Sequence, residues 1–251
     1  MLTLYSIYCS NIKYKMKITY IYHSGFIIEC ERSTIIVDYY KDTDDEIVHR
    51  SLNSFPGKLY VLSSHWHPDH FSKDVLKWKN VRPDIQYIFS KDILKRKLVS
   101  PDEGIFVVKE DVWQDENIRI KAFGSTDIGV SFLIEAEGKT IFHAGDLNNW
   151  HWDEESTPEE IQSSERHFLK EIRALHNEIH NLDVVMFPID CRLGKNYMRG
   201  AEQLIDLIHV GTFIPMHFGD TYNEANAFHE YAEKAGCSFF ELTKTGDNMT
   251  I

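Results

Sequence analysis

A chain of 251 residues with 43% hydrophobic and 26% charged residues is ordinary globular composition, and the simplest reading is one domain over residues 16–251. Lys plus Arg number 27 against 39 Asp plus Glu, a formal net charge of −12 with no Lys/Arg-rich run, so a phosphate backbone is repelled and nucleic acid is not an expected partner. No apolar run approaches the ~20 residues of a membrane span, and Cys9, Cys30, Cys191 and Cys237 form no CxxC pair, which reads as the reduced thiols of a cytoplasmic protein.

Residues 1–15 contain Asn11, Lys13 and Lys15 and lack the apolar stretch and cleavage site of a signal peptide; they read either as a dispensable N-terminal extension or as a mis-chosen start. Strands follow at Ile18–Tyr22, Phe26–Cys30 and Thr34–Asp38, dense in β-branched and aromatic residues. His23, in the first turn, reads equally as structural or as lining a pocket. Asp38 closes an apolar strand and needs a partner if it is buried.

The apolar run Leu59–Leu62 leads into Ser64-His65-Trp66-His67-Pro68-Asp69-His70, three imidazoles and a carboxylate within six positions. In an extended segment side chains repeat with period two, so His65 and His67 project to one side and can close on one ion. Pro68 breaks the extended backbone, and Asp69 and His70 can swing toward a second, adjacent ion. A helix is expected over Phe71–Trp78, a strand over Asp84–Phe89 and an amphipathic helix over Lys91–Leu98. A β-rich block follows at Ile105–Val108, Ile118–Phe123, Gly129–Glu135 and Lys139–His143, and no internal repeat stands out.

Thr157, Pro158 and Glu160 form a strong helix start, a capping box with proline in the first turn. The helix is expected to run to about His180, with Ile161, Phe168, Ile172, Leu175 and Ile179 on its apolar stripe and His167, His176 and His180 on a solvated face. Leu182–Ile189 reads as a buried strand feeding the locally basic loop Asp190–Arg199, where Arg192, Lys195 or Arg199 can hold an anionic group. A helix over Ala201–Ile208, a strand over Thr212–Met216 ending before His217, a helix over Glu224–Ala235 and a strand over Ser238–Leu242 complete the chain.

The H-x-H-x-D-H pattern of His65, His67, Asp69 and His70 after an apolar strand resembles the metallo-β-lactamase superfamily. Tyr22-His23-Ser24-Gly25-Phe26 resembles the branch that includes ascorbate-6-phosphate lactonase. The resemblance implies an α/β fold, a four-layer αββα sandwich with metals at one edge between the sheets. It implies a supporting carboxylate at Asp38, a carboxylate bridging both ions at Asp146 in His143-Ala144-Gly145-Asp146, and a last ligand at His217. The sequence departs from the family in Gly124–Gly129, which lacks the usual histidine; Asp127 is the nearest side chain able to ligate and replaces it in our reading, while His151, flanked by tryptophans, reads either as a competing ligand or, preferably, as part of a packed or substrate-covering loop. The expected first ion thus has His65, His67 and Asp127, the second Asp69, His70 and His217, with Asp146 between them. An Asp-rich donor set shifts preference from zinc toward manganese or iron.

The function expected from this set is a metal-dependent hydrolase of a small, anionic ester, lactone or phosphoester, using two divalent ions, zinc, manganese or iron, and a shared water, with Asp69 and Asp146 as the catalytic carboxylates. An iron-dependent redox or oxygen-handling protein on the same scaffold is the main alternative; a non-catalytic metal sensor and a nuclease are the lesser ones.

Overall fold

Period-two alternation decides which side of each strand faces which core. The computed structural model describes residues 15–251, which leaves Cys9 and all of the expected N-terminal extension except Lys15 outside the described residues. In chain order the strands are β1 (Lys17–Tyr22), β2 (Gly25–Glu29), β3 (Ser33–Val37), β4 (Lys58–Ser63), β5 (Gln86–Ser90), β6 (Ile105–Val107) and β7 (Val112–Gln114). They continue with β8 (Ile118–Phe123), β9 (Ser131–Ala136), β10 (Lys139–His143), β11 (Asn181–Pro188), β12 (His209–Met216), β13 (Ser238–Phe239) and β14 (Asn248–Thr250).

Two seven-stranded sheets result, one ordered β14-β1-β2-β3-β4-β5-β6 and the other β13-β12-β11-β10-β9-β8-β7. Each has an antiparallel half followed by a parallel half, with the change at β3 in the first sheet and at β10 in the second. The topology therefore repeats although the sequence does not.

Ile18, Tyr20, Ile35, Val37, Tyr60 and Leu62 point into the core between the sheets. Their neighbours Ile21, Ile36, Leu59 and Val61 point outward, under Val48 of the helix Ile47–Ser51, Trp78 of the 3-10 helix Lys73–Asn80 and Ile93 of the helix Lys91–Lys95. On the far face Phe168, Ile172 and Leu175 of the helix Pro158–Glu178 are buried, as is Leu204 of the helix Arg199–Leu207. Helices thus cover both outer faces, as parallel strand pairs require, and the architecture is the four-layer αββα sandwich.

Thr157 caps the long helix with the full capping box. The expected helix Glu224–Ala235 splits into Tyr222–Asn226 and His229–Lys234, and the expected strand Ser238–Leu242 stops at Phe239. At the strand end the Asn226 side chain donates to the Leu242 carbonyl at 2.8 Å and accepts from the Leu242 N–H at 3.2 Å, taking the place of a ladder partner. Cys30, Cys191 and Cys237 are free, and among the described residues no helix is long and apolar enough to cross a membrane.

Candidate metal centre

The chemistry-bearing side chains gather at the carboxyl ends of strands, where parallel sheets place their ligand sites. His65, His67, Asp69 and His70 follow β4, Asp38 follows β3, Asp146 follows β10, Asp190 follows β11 and His217 follows β12. Pro68 opens a turn that the His70 and Phe71 N–H groups close on the His67 carbonyl, both at 3.0 Å. The His217 N–H donates to the His23 carbonyl at 3.0 Å, stitching the β1–β2 turn of one sheet to a strand end of the other. His23, Asp38 and His217 have φ of 57°, 47° and 62°, left-handed backbone at three non-glycine positions of one site.

Two groups of side chains each bring ligand atoms within 4.8 Å of one another: His65, His67, Asp127 and Asp146 in one, His23, Asp69, His70 and His217 in the other. Asp127 Oδ2 lies 3.6 Å from His67 Nδ1, and His65 Nε2 lies 3.0 Å from the same nitrogen. In the second group His23 Nε2 lies 3.4 Å and His70 Nε2 4.0 Å from Asp69 Oδ2. His23 therefore does more than line a pocket: it stands among the potential ligands, with its ring 4.2 Å from that of His217.

The second group, together with Asp146, suits a cation. His23 Nε2, His70 Nε2 and Asp146 Oδ1 are buried and make no hydrogen bond among the described residues, although His70 Nε2 and Asp146 Oδ1 are only 3.0 Å apart. Buried polar atoms that converge without pairing are costly unless something positive sits between them. Burial works to raise the Asp146 pKa, but the His70 and His217 imidazoles outweigh it and hold the carboxylate well below its usual range. Burial likewise opposes a charge on His70, and the Asp146 and Asp38 carboxylates overcome it, raising that pKa well above the ordinary histidine value.

Behind the imidazoles stand residues that fix their direction. Asp38 accepts from His70 Nδ1–H at 2.7 Å and from Ser64 N–H and Oγ–H at 2.7 Å each. Asp190 is 3.1 Å from His217 Nδ1, which turns Nε2 of that ring toward Asp146, 3.4 Å away. His143 is fully buried and held at both nitrogens, Nε2–H donating to the Ser24 carbonyl at 2.8 Å and Nδ1 accepting from the Gly145 N–H at 3.2 Å. Sequence reading missed Asp190 and Ser64 and gave His143 no role. An Asp–His contact across two parallel strands has no local spacing to reveal it.

Two of the open candidates stand apart from the centre. His151 does not join the ligands: it is buried elsewhere, with Nε2 bonded to the Asn196 carbonyl at 3.0 Å and Nδ1 2.9 Å from Asp153. Lys195 does not face the centre either; it borders a separate surface hollow with Asn196, Met198 and Glu202. Arg192 does reach it, lining a cleft of about 300 Å³ with Asp127, Asp146, Trp150, Trp152 and His217.

An αββα sandwich carrying adjoining His/carboxylate groups at its strand ends defines a protein of the metallo-β-lactamase class. The chain belongs to that superfamily: a family model for the beta-lactamase superfamily domain matches residues 17–161. A UPF0173 protein of Pyrococcus furiosus is 26% identical over 225 residues, 84% of this chain and 87% of the relative. A UPF0173 metal-dependent hydrolase of Desulforamulus reducens is 23% identical over 255 residues, 94% of this chain and 100% of the relative. Among solved structures, a metallo hydrolase of the hyperthermophilic archaeon Ignicoccus hospitalis shares the fold with a TM-score of 0.67 at 20% identity, over 94% of this chain and 98% of that one.

Proposed function

We propose that this metal-dependent hydrolase cleaves a small ester, lactone or phosphoester, with divalent ions held in its two adjoining clusters. The observation that carries the reading is the position of Asp146. Its Oδ2 lies 3.3 Å from His65 in one cluster, and its Oδ1 lies 3.0 Å from His70 and 3.4 Å from His217 in the other. One carboxylate facing both clusters is what a bridged pair of ions requires.

His65, His67 and Asp127 would hold one ion, His23, Asp69, His70 and His217 the other, and Asp146 both. Ions held there supply Lewis acidity for the electrophile and a water acidic enough to attack at neutral pH. Asp38 keeps the proton of His70 on Nδ1 and Asp190 does the same for His217, so that Nε2 is the nitrogen each ring would offer to an ion. Asp69 is partly exposed, with Oδ2 3.4 Å from His23 Nε2, and would also accept a hydrogen from the attacking water. Free thiols at Cys30, Cys191 and Cys237 fit a reducing compartment, and we assign the protein to the cytoplasm.

Three carboxylates in the donor set also suit iron, and oxygen or redox chemistry at iron is the second reading. Elemental mass spectrometry on protein purified without chelator, for wild type, Asp127→Ala and Asp146→Ala, tests both. About two metals per chain, falling to about one without Asp127, followed by turnover of lactones or phosphoesters, supports the hydrolase. Wild-type protein that retains no metal after reconstitution overturns it, and bound iron with a visible absorbance band but no hydrolysis favours the second reading.

A further inference from the structure

Two features of the cleft are not needed to hold a metal. The first is an aromatic pair: Trp150 and Trp152 stack with ring centroids 6.2 Å apart and planes 17° from parallel. Trp150 is fixed over the centre, its Nε1–H donating to the Asp146 carbonyl at 2.8 Å and its ring 5.4 Å from that of His217. Trp152 is presented from a backbone with φ of 46°, which a bulky side chain rarely adopts. Half-buried indoles lining a cleft offer a flat apolar wall.

The second feature is Arg192, the one cation among the described residues that line this cleft. Its Nε–H donates to Asp190 at 2.8 and 3.0 Å, and Nη2 pairs with the same carboxylate. Asp190 is itself buried and also holds His217, so the guanidinium is mounted on a fixed post. Nη1 makes no hydrogen bond among the described residues, and the side chain is 63% exposed. A planar guanidinium anchored by one edge presents its other edge to a carboxylate or phosphate.

His151 joins the two features. Its ring lies between the tryptophans in sequence and bonds the Asn196 carbonyl, while Asn196 Nδ2 donates to Asp153. The segment carrying the indoles is thus tied to the loop carrying Arg192, and aromatic wall and cation are held as one unit. Asp127 and Asp146 also line the cleft but are taken up in the proposed metal sites, which leaves Arg192 as the mounted protein cation available to an anionic substrate.

We infer that the cleft selects a small organic anion bearing a flat ring, its carboxylate or phosphate on the free edge of Arg192 and its ring against Trp150 and Trp152, which sets the bond to be cleaved over Asp146. This deepens the hydrolase reading and rests on it for the last clause.

Calorimetric titration of the metal-loaded protein tests it with probes that hold no hydrolysable bond: phenylphosphonate and phenylacetate, which have ring and anion, methylphosphonate, which has the anion alone, and 2-phenylethanol, which has the ring alone. Phenylphosphonate or phenylacetate is expected to bind at least about tenfold tighter than either single-feature probe, and the stronger of the two names the headgroup. Trp152→Ala reduces the better ring probe to the level of the anion alone. Arg192→Lys keeps a cation beside Asp190 but loses the fork, and costs about tenfold at unchanged metal content. Methylphosphonate binding as tightly as phenylphosphonate, or either variant within about twofold of wild type, overturns the inference. Selective binding as described by a protein that cleaves no ester, lactone or phosphoester overturns the hydrolase reading alone. Hydrolysis of neutral and anionic substrates with equal kcat/KM in wild type and Arg192→Lys overturns the inference alone.

Discussion

His70 Nδ1–H donates to Asp38 Oδ2 across 2.7 Å, and both side chains are wholly buried. Burial alone would push the Asp38 pKa up; the facing His143 and His70 rings outweigh it and hold the carboxyl below its ordinary range. The pair fixes which nitrogen of His70 is free. Asp38→Asn keeps the shape and removes the charge that holds this tautomer. The affinity of the metal held by the His70 cluster is expected to fall by about 10- to 100-fold, read by competition with a chromophoric chelator. Unchanged affinity would show that Asp38 has no hold on the metal.

What could be read from the chain divides along a physical line. His65, His67, Asp69 and His70 sit within six positions, so strand periodicity and one proline suffice to bring them together. Strand β10 and the capping box at Thr157 were equally legible, because β-branched density and cap chemistry are local. Asp190 was not, since it meets His217 only through the parallel pairing of β11 and β12, and an Asp opening a loop looks like a turn residue. Strands β7 and β14 are three residues long, with Val112 exposed and little period to detect. For His151 the sequence left a ligand and a packed-loop role both open, and the structure has Nε2 bonded to the Asn196 carbonyl with Asp153 2.9 Å from Nδ1, outside the centre.

Asp127 lies in the loop between β8 and β9, with Oδ2 3.6 Å from His67 Nδ1. Asp127→His exchanges a hard oxygen donor for an imidazole. Protein reconstituted against equal zinc and manganese is expected to show a several-fold higher zinc-to-manganese ratio than wild type, measured by elemental mass spectrometry. An unchanged ratio would take Asp127 out of the metal site.

Gly129 and Gly138 share φ of +78° but differ in what surrounds them. A Cβ on Gly138 meets nothing within 4 Å, so Gly138→Ala carries only the backbone cost, about 1 kcal/mol. A Cβ on Gly129 would lie 2.1 Å from the Ser64 carbonyl oxygen and 2.5 Å from His65 Cβ. The loop bearing Asp127 rests there on the strand end bearing His65. Gly129→Ala is expected to cost at least about 3 kcal/mol in denaturant melts and to lower metal content, whereas Gly138→Ala keeps wild-type metal. Equal losses for the two variants would contradict this packing account.

Asp115, in the β7–β8 turn, clasps the two sheets at the end of the sandwich away from the metal centre. Its Oδ2 accepts from Tyr60 Oη–H at 2.6 Å and Lys58 Nζ at 2.8 Å, both on β4, while Oδ1 accepts from the N–H groups of Asn117 and Ile118. Burial favours the neutral acid, but the Lys58 and Tyr60 donors and the backbone N–H groups prevail and bring its pKa down to about 2. A carboxyl whose folded pKa lies below its unfolded value stabilises the fold above the unfolded pKa, and that stability is lost as pH falls through the folded one. The window is therefore about pH 4 down to about pH 2. Because Lys58 is partly exposed and screened, the contribution is about 1 kcal/mol rather than the full linkage value. Asp115→Asn should lower stability at pH 6 by roughly that amount and flatten the decline between about pH 4 and pH 2 relative to wild type. Urea melts at stepped pH read both effects; parallel stability curves for the two proteins would show that the Asp115 clasp contributes nothing that titrates.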